Sequence, residues 1–419
     1  MKQIHKSFLI YLCVWTIFQI ILVFIYKNME FGPDGNGYIT HTLQAFNECS
    51  LYPTKNNLHD IYVQAPGLIN FHLLPLYFIT RSFLVIRIIN VFLNLVIVLE
   101  VFYLANKFFN KRVAYISCFI YTIILSNIFA AVSMQSEVPY LFWALTGFCI
   151  SLSKRWYWLL IGGVCFAVAY TIRPLVLAFT IPSVIFILVY QKCRALKSIF
   201  LLGVFIIPLV VLGIYNKNRV GVSAVSSTTG GYNLLMTSFD GATPIPNHSI
   251  YYNKNGFAHN IELGHYNVAE KDSILRRMAI KWIKQHPVKY LKLCVMRVAV
   301  MFNKDTWSVP PLLGNLDNPD YAIKSGSITK MAICQIIRMG YSLVYYIVCI
   351  AFIISLFKYR KQIISKKGLL LLIFLLGVGG TCLFPMEHRY HYPYMFVICI
   401  WAGYLVSNLK KFSEIEDKG

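Results

Sequence analysis

The chain has 419 residues, of which 57% are hydrophobic and only 13% charged, and it carries a net charge of +22. Soluble globular chains are closer to about 45–50% apolar and about 25% charged, so an ordinary soluble domain is excluded. Several runs approach the ~20 apolar residues that a helix needs to cross a bilayer, and the fold class that follows is an all-α polytopic membrane protein.

The basic residues lie mainly between the apolar runs, where they meet lipid headgroups and set orientation. No basic stretch with interleaved aromatics stands apart from them, so nucleic acid is not the expected partner. The 11 cysteines form no CxxC pair, and most, such as Cys13, Cys118, Cys165, Cys349 and Cys399, sit inside apolar runs as small hydrophobes. A disulfide or metal role stays open for stragglers such as Cys49.

Lys2 and Lys6 precede the first apolar run, 8–26, which has no small-residue cleavage site and reads as a retained span with a cytoplasmic start. Outside it comes Phe31-Gly-Pro-Asp34-Gly-Asn-Gly-Tyr38, a helix breaker, a carboxylate and glycines, which predicts a loop. Tyr38, His41 and Phe46 then follow at spacings that suit a helix along the membrane. The run 66–80, opened by Gln64-Ala-Pro66-Gly67, is too short for an ordinary span and is placed in the interface.

With that placement, spans are expected at 84–104, 113–131, 138–152, 156–171, 174–190, 198–215, 341–357, 368–385 and 392–409. Every short basic cluster, from Lys107, Lys111 and Arg112 to Lys410 and Lys411, then falls on one side. The expectation is ten spans with both termini cytoplasmic. Three units follow: a module at 1–215 with seven spans and the first outer loop, a long outer loop at 216–340, and a three-span segment at 341–419.

Within the outer loop, 222–231 is rich in Ser, Thr and Gly and reads as irregular, whereas 270–285 has helical periodicity. Pro287 opens a further helix, 288–302, which carries Lys289, Lys292 and Arg297. A central arginine costs about 2.5–3.5 kcal/mol on insertion scales. This helix is therefore expected to lie in the interface with its basic side chains reaching headgroups.

The same bookkeeping puts four charged features on the outer face. Asp34 reads equally as a turn-nucleating residue and as a carboxylate presented by a loop. Glu137, in Ser133-Met-Gln-Ser-Glu137-Val-Pro139, reads as a helix-capping acid or as an acid facing a wet cavity. Arg173, in Tyr170-Thr-Ile-Arg173-Pro174, is an interface arginine or a planar fork for phosphate. Glu387-His388-Arg389-Tyr390-His391 is an interfacial turn or the richest cluster of titratable groups in the chain. Together they suggest a polar cavity for an anionic, lipid-linked substrate.

These residues stand in a recognisable order. It comprises Pro33-Asp34-x-x-x-Tyr38, Ala65-Pro-Gly-Leu, Arg87-Ile-Ile-Asn-Val-Phe-Leu-Asn, Tyr103-Leu-Ala-Asn-Lys-Phe-Phe-Asn, Ser136-Glu137, Gly163-x8-Arg173-Pro, His286-Pro287 and Arg389-Tyr390-x-x-Pro393. The chain resembles the polytopic glycosyltransferases of the GT-C fold, and glycosyltransferase family 39 in particular, the protein O-mannosyltransferase and aminoarabinose-transferase group. The resemblance covers most of the chain up to the last two spans.

It implies a polyprenyl-phosphate-linked sugar donor used on the outer face of a membrane, here expected to be a bacterial cytoplasmic membrane. It implies Asp34 as general base, Arg173, Arg389, Tyr390 and His388 around the donor phosphate, and Glu137, Tyr38 and Gln64 as positioning residues. Gln64-Ala65 stands where relatives often carry a basic residue, so no phosphate contact is expected there. A glycan or lipid acceptor is favoured over protein, because no separate acceptor-binding domain is evident. No cofactor is required by these residues, and a divalent metal ion stays open. Two other readings are a polysaccharide polymerase or ligase, for which Asp34 would be expendable, and a lipid-glycan flippase, which would show an internal duplication.

Overall fold

The computed structural model describes residues 5–27, 32–252, 254, 258–259, 261, 263–305 and 328–416, with helices and connections but no strand among them. Four helical stretches are long and apolar enough to cross a bilayer, Lys6–Ile25, Phe83–Phe108, Arg194–Val220 and His388–Leu409. Shorter apolar helices, Trp156–Ile172, Pro174–Tyr190, Ser342–Lys358 and Gly368–Thr381, accompany them.

Helix α1 (Lys6–Ile25) shows the membrane pattern plainly. It buries Leu12, Trp15, Gln19 and Val23 against the protein and leaves Ile10, Val14, Ile17 and Phe24 bare. Bare apolar faces of this kind are covered by lipid in a protein of this composition. Helix α2 is Gly32–Asn47, and this corrects the expected loop around Asp34. Pro33 at the helix start removes no needed N–H, and Asp34 in the first turn is favoured by the unpaired amides there. The carboxylate is therefore presented by a helix end.

Next come α3 (Pro66–Leu68), a π-helical turn (Ile69–Leu73) and α4 (Leu74–Thr80), which together make up the short run 66–80. Helix α5 (Phe83–Phe108) packs beside α6 (Lys111–Ile123), but α6 stops short of the expected span end. Ile124 is extended, at φ −66° and ψ 131°, and a separate α7 (Leu125–Phe129) follows.

Backbone freed inside a membrane must find partners within the protein, and it does. Trp15 Nε1 donates to the Thr122 carbonyl at 3.1 Å and Asn127 Nδ2 to the Tyr121 carbonyl at 2.5 Å. Gln19 and Asn94 both donate to the Asn127 carbonyl at 2.9 Å, and the Ser126 amide donates to Asp305 at 3.0 Å. The asparagine of the Arg87-Ile-Ile-Asn-Val-Phe-Leu-Asn94 stretch thus holds a broken helix together.

Helices α8 (Glu137–Ser151), α9 (Trp156–Ile172), α10 (Leu177–Tyr190) and α11 (Arg194–Val220) follow, with α9 packed between α8 and α11. The segment after α11 contributes α12 (Gly230–Met236), α13 (Ser249–Tyr252), α14 (Val268–Gln285) and α15 (Pro287–Phe302). Asn267 and Glu270 close a reciprocal cap at the start of α14. Helices α16 (Ile328–Lys358), α17 (Arg360–Ile363), α18 (Gly368–Thr381) and α19 (Met395–Glu416) complete the chain, and α19 packs against both α6 and α16.

Arg297 departs from the expected headgroup contact. It is fully buried, and its guanidinium donates to the carbonyls of Cys382 at 3.0 Å, Leu383 at 3.2 Å and Thr237 at 2.9 Å. Carbonyls just beyond the end of α18 lack helical partners, and a planar fork serves several at once. Lys289 and Lys292, on the other face of α15, remain exposed.

Candidate functional site

Four chain segments converge at one end of the bundle: the start of α2, residues 135–137 at the head of α8, Arg173 after α9, and residues 387–390. Arg389 is the hub. Its Nη2 meets Asp34 Oδ2 in a direct ion pair, its Nη1 donates to Gln135 Oε1 at 3.0 Å, and its Nε lies 2.6 Å from Glu387 Oε2. Glu137 Oε1 is 3.9 Å from the same nitrogen.

Arg173 makes the second half. Pro174 excludes the helical region for the residue before it, and Arg173 is extended at φ −145°, ψ 122°. That turn aims the guanidinium at the head of α8, where it donates to Glu137 Oε1 at 2.6 Å and to Ser136 Oγ at 2.7 Å. The Glu137 side chain is 1% exposed, and its other oxygen, Oε2, has no partner among the described residues. The Tyr390 ring is shared by the arginines, its centroid 5.6 Å from each guanidinium carbon. Cations over an aromatic face are attracted by its quadrupole.

Two glycines set how close the segments come. A Cβ on Gly67 would fall 1.9 Å from Thr171 Oγ1 and 2.6 Å from the Thr171 carbonyl carbon, so only glycine lets α3 touch the end of α9, two residues before Arg173. A Cβ on Gly37 would fall 2.6 Å from Gln64 Oε1. Asp34, Gly37, Tyr38 and His41 share one face of α2 by helical spacing, so Gln64 lies along that face a turn from Asp34. Tyr38 is buried; burial, with the Asp34 charge adding to it, pushes its phenol well above the usual range and keeps it a proton donor. Burial pushes the His41 imidazole down, and the ring packs on Tyr52 at 4.7 Å.

The structure thus brings together Asp34, Glu137, Arg173, Arg389 and Tyr390, with Tyr38 and Gln64 beside them. His388 is turned elsewhere: its Nδ1 meets the Val300 carbonyl at 2.8 Å, which engages it with α15. Sequence assigns no role to Gln135, Ser136 or Glu387, which hold the two arginines, although Ser136 and Glu387 belong to motifs quoted above and Gln135 lies beside one.

Asp305 carried no signal at all. It pairs with fully buried His391, Oδ1 to Nε2 at 2.7 Å, while His391 Nδ1 meets the Met301 carbonyl at 3.0 Å. A carbonyl only accepts, so Nδ1 carries a proton and the imidazole–carboxylate pair shares the next one. Among the described residues no group of three or more His, Cys, Asp or Glu side chains is placed to hold a metal ion.

Comparison with known proteins gives the site its setting. A family model described as dolichyl-phosphate-mannose-protein mannosyltransferase matches residues 71–215. No curated protein matches the chain by sequence. Among solved structures, the chain is similar to the apo oligosaccharyltransferase of Archaeoglobus fulgidus, at a TM-score of 0.50 and 14% identity, over 98% of this chain and 52% of that one. It is equally similar, at a TM-score of 0.50 and 14% identity, to the archaeal oligosaccharyltransferase AglB from Archaeoglobus fulgidus in complex with an inhibitory peptide and a dolichol-phosphate, over 99% of this chain and 52% of that one. The chain therefore spans about half the length of these relatives. It shares the GT-C fold with these structures.

Proposed function

We propose that this chain moves a sugar from a polyprenyl-phosphate-linked donor to a hydroxyl of a glycan or lipid acceptor, on the extracytoplasmic face of a bacterial cytoplasmic membrane, with inversion at the anomeric carbon. The observation that carries this reading is the contact of Asp34 with Arg389, which sets a carboxylate against a guanidinium at one end of the helical bundle. The family match supports the donor class. The acceptor, the sidedness and the stereochemistry are our inference.

In this reading Asp34 takes the proton from the acceptor hydroxyl as its oxygen attacks the anomeric carbon. The bond from that carbon to the lipid phosphate breaks in the same step, and one displacement inverts the centre. Negative charge grows on the phosphate oxygens as they leave, and fixed cations aimed at that charge lower the barrier. Arg389 and Arg173 supply them by exchanging carboxylate partners for phosphate oxygens. Tyr390 offers its ring to both guanidiniums, and Glu137, through its free Oε2, together with Tyr38 and Gln64, orients the sugar or the acceptor. A polymerase or ligase would call on arginines of the outer segment instead. Arg276 is paired with Asp272 and Arg297 is spent on three backbone carbonyls, which favours the transferase.

The test is mass spectrometry of lipid-linked and surface glycans from cells with and without the chain. Loss of one sugar from a defined glycan or lipid, with its polyprenyl-phosphate donor accumulating, is the expected result. Unchanged glycans with an unchanged donor pool would contradict the proposal.

A further inference from the structure

Away from the charged cluster, one arginine of α15 joins two cysteines, one on α15 and one at the end of α18. Cys294 lies on the inner face of α15 and is buried, while Cys382 follows the last residue of α18 and is half-buried. Both carry free thiols. Arg297, one turn beyond Cys294, binds both partners: its Nη1 lies 3.8 Å from Cys294 Sγ and 3.0 Å from the Cys382 carbonyl. Cys382 Sγ lies 3.1 Å from the Gly379 carbonyl. A cation beside a thiol is a setting that makes a cysteine nucleophilic. The Cys382 thiol and the Arg297 charge draw the Cys294 thiol down to about 6 against the opposing effect of burial.

We propose that Cys294 and Cys382 are a redox pair that closes into a disulfide, stapling α15 to the segment that leads into Glu387 and Arg389. The proposal rests on the outer-face placement of this end of the molecule, because disulfides persist in oxidising compartments.

Closure proceeds by exchange with a disulfide-bearing protein oxidant. The Cys294 thiolate attacks one sulfur of the oxidant, forming a mixed disulfide and releasing one thiolate. The Cys382 thiolate then attacks Cys294 Sγ and releases the oxidant's second sulfur. Two electrons pass to the oxidant, and the two protons of the original thiols end on its two new thiols. The staple joins segments about 88 residues apart in a chain otherwise held there by hydrogen bonds, and closing a loop of that length restricts the unfolded state.

The experiment is thiol trapping on the full chain in its native membrane. Free thiols are blocked with N-ethylmaleimide under denaturing conditions, and peptides are mapped without and with reductant. The expected result is a peptide linking Cys294 to Cys382, both positions alkylating only after reduction, and Cys382 alkylating without reduction in Cys294→Ser. Alkylation of both in the unreduced native chain overturns the proposal. A membrane-impermeant maleimide applied to intact cells then separates the causes. Labelling from outside shows that the placement holds and the pair stays reduced, whereas labelling only after permeabilisation shows that the placement itself fails.

Discussion

Asp34 and Arg389 stand 355 positions apart in the chain and meet in a direct ion pair. One comes from the first turn of α2 and the other from the turn that leads into the last helix, so the contact closes the fold on itself. The same guanidinium also engages Gln135 and Glu387. Such an arrangement fixes the orientation of the arginine before any ligand arrives.

Replacing that arginine should therefore damage transfer more than folding. Arg389→Gln is expected to lower the transfer rate about 100- to 1,000-fold, the usual loss when one donor to a developing anion is removed. Arg389→Lys should recover little, because a single ammonium cannot reproduce a planar fork with separate partners on separate nitrogens. Rates from a polyprenyl-phosphate sugar in purified, lipid-reconstituted protein would decide it, and near-normal activity of the lysine variant would remove Arg389 from the donor site.

Glu137 and Arg173 make the contrasting case, a buried pair whose loss is first a stability defect. Removing one partner of such a pair typically costs about 3–5 kcal/mol, because it strands the other charge. Glu137→Ala should lower the midpoint of unfolding in detergent accordingly, and Glu137→Ala with Arg173→Met should recover most of the loss. If the double variant is as unstable as the single, the stranded-charge explanation is wrong.

The two close-approach glycines should behave differently. Gly67→Ala places a methyl against the Thr171 backbone, which cannot swing aside, so both stability and the aim of Arg173 should suffer. Gly37→Ala meets only the end of the Gln64 side chain, which can rotate away. That variant should fold normally and show its effect as a raised KM for the acceptor with little change in kcat.

His41 gives a pH dependence whose sign follows from burial. Its folded imidazole titrates below the unfolded value of 6.5, so the unfolded chain binds the extra proton more readily. Stability is then highest above about pH 6.5 and declines as pH falls below it, levelling once the buried ring is itself protonated. Unfolding midpoints across that range should show the decline in the parent chain and a flatter profile in His41→Gln.

Helix positions were largely legible, because apolar runs of near-membrane length separated by basic clusters leave little freedom. The charged residues at the ends of those runs were legible as candidates for the same reason: an ion is expensive there. What sequence left hidden was set by contacts between distant segments. The glycines around Asp34 read as a loop, yet the first turn of a helix accommodates Pro33 and Asp34 equally well.

The break at Ile124 was invisible because Ile123, Ile124 and Leu125 are all apolar. It exists because Trp15, Gln19, Asn94 and Asp305 satisfy the opened backbone from elsewhere in the chain. Arg297 was expected at the headgroups, and instead meets carbonyls that only the folded chain brings to it. Asp305 sits in no motif and takes its place from His391 and the Ser126 amide.

The central claim is that Asp34 removes the acceptor proton, and the most direct measurement is the transfer rate of Asp34→Asn at saturating donor. General-base catalysis contributes about 100- to 10,000-fold. The account predicts a loss in that range with donor binding preserved and an Asp34→Glu variant of intermediate activity. Transfer by Asp34→Asn at close to the parent rate would contradict it.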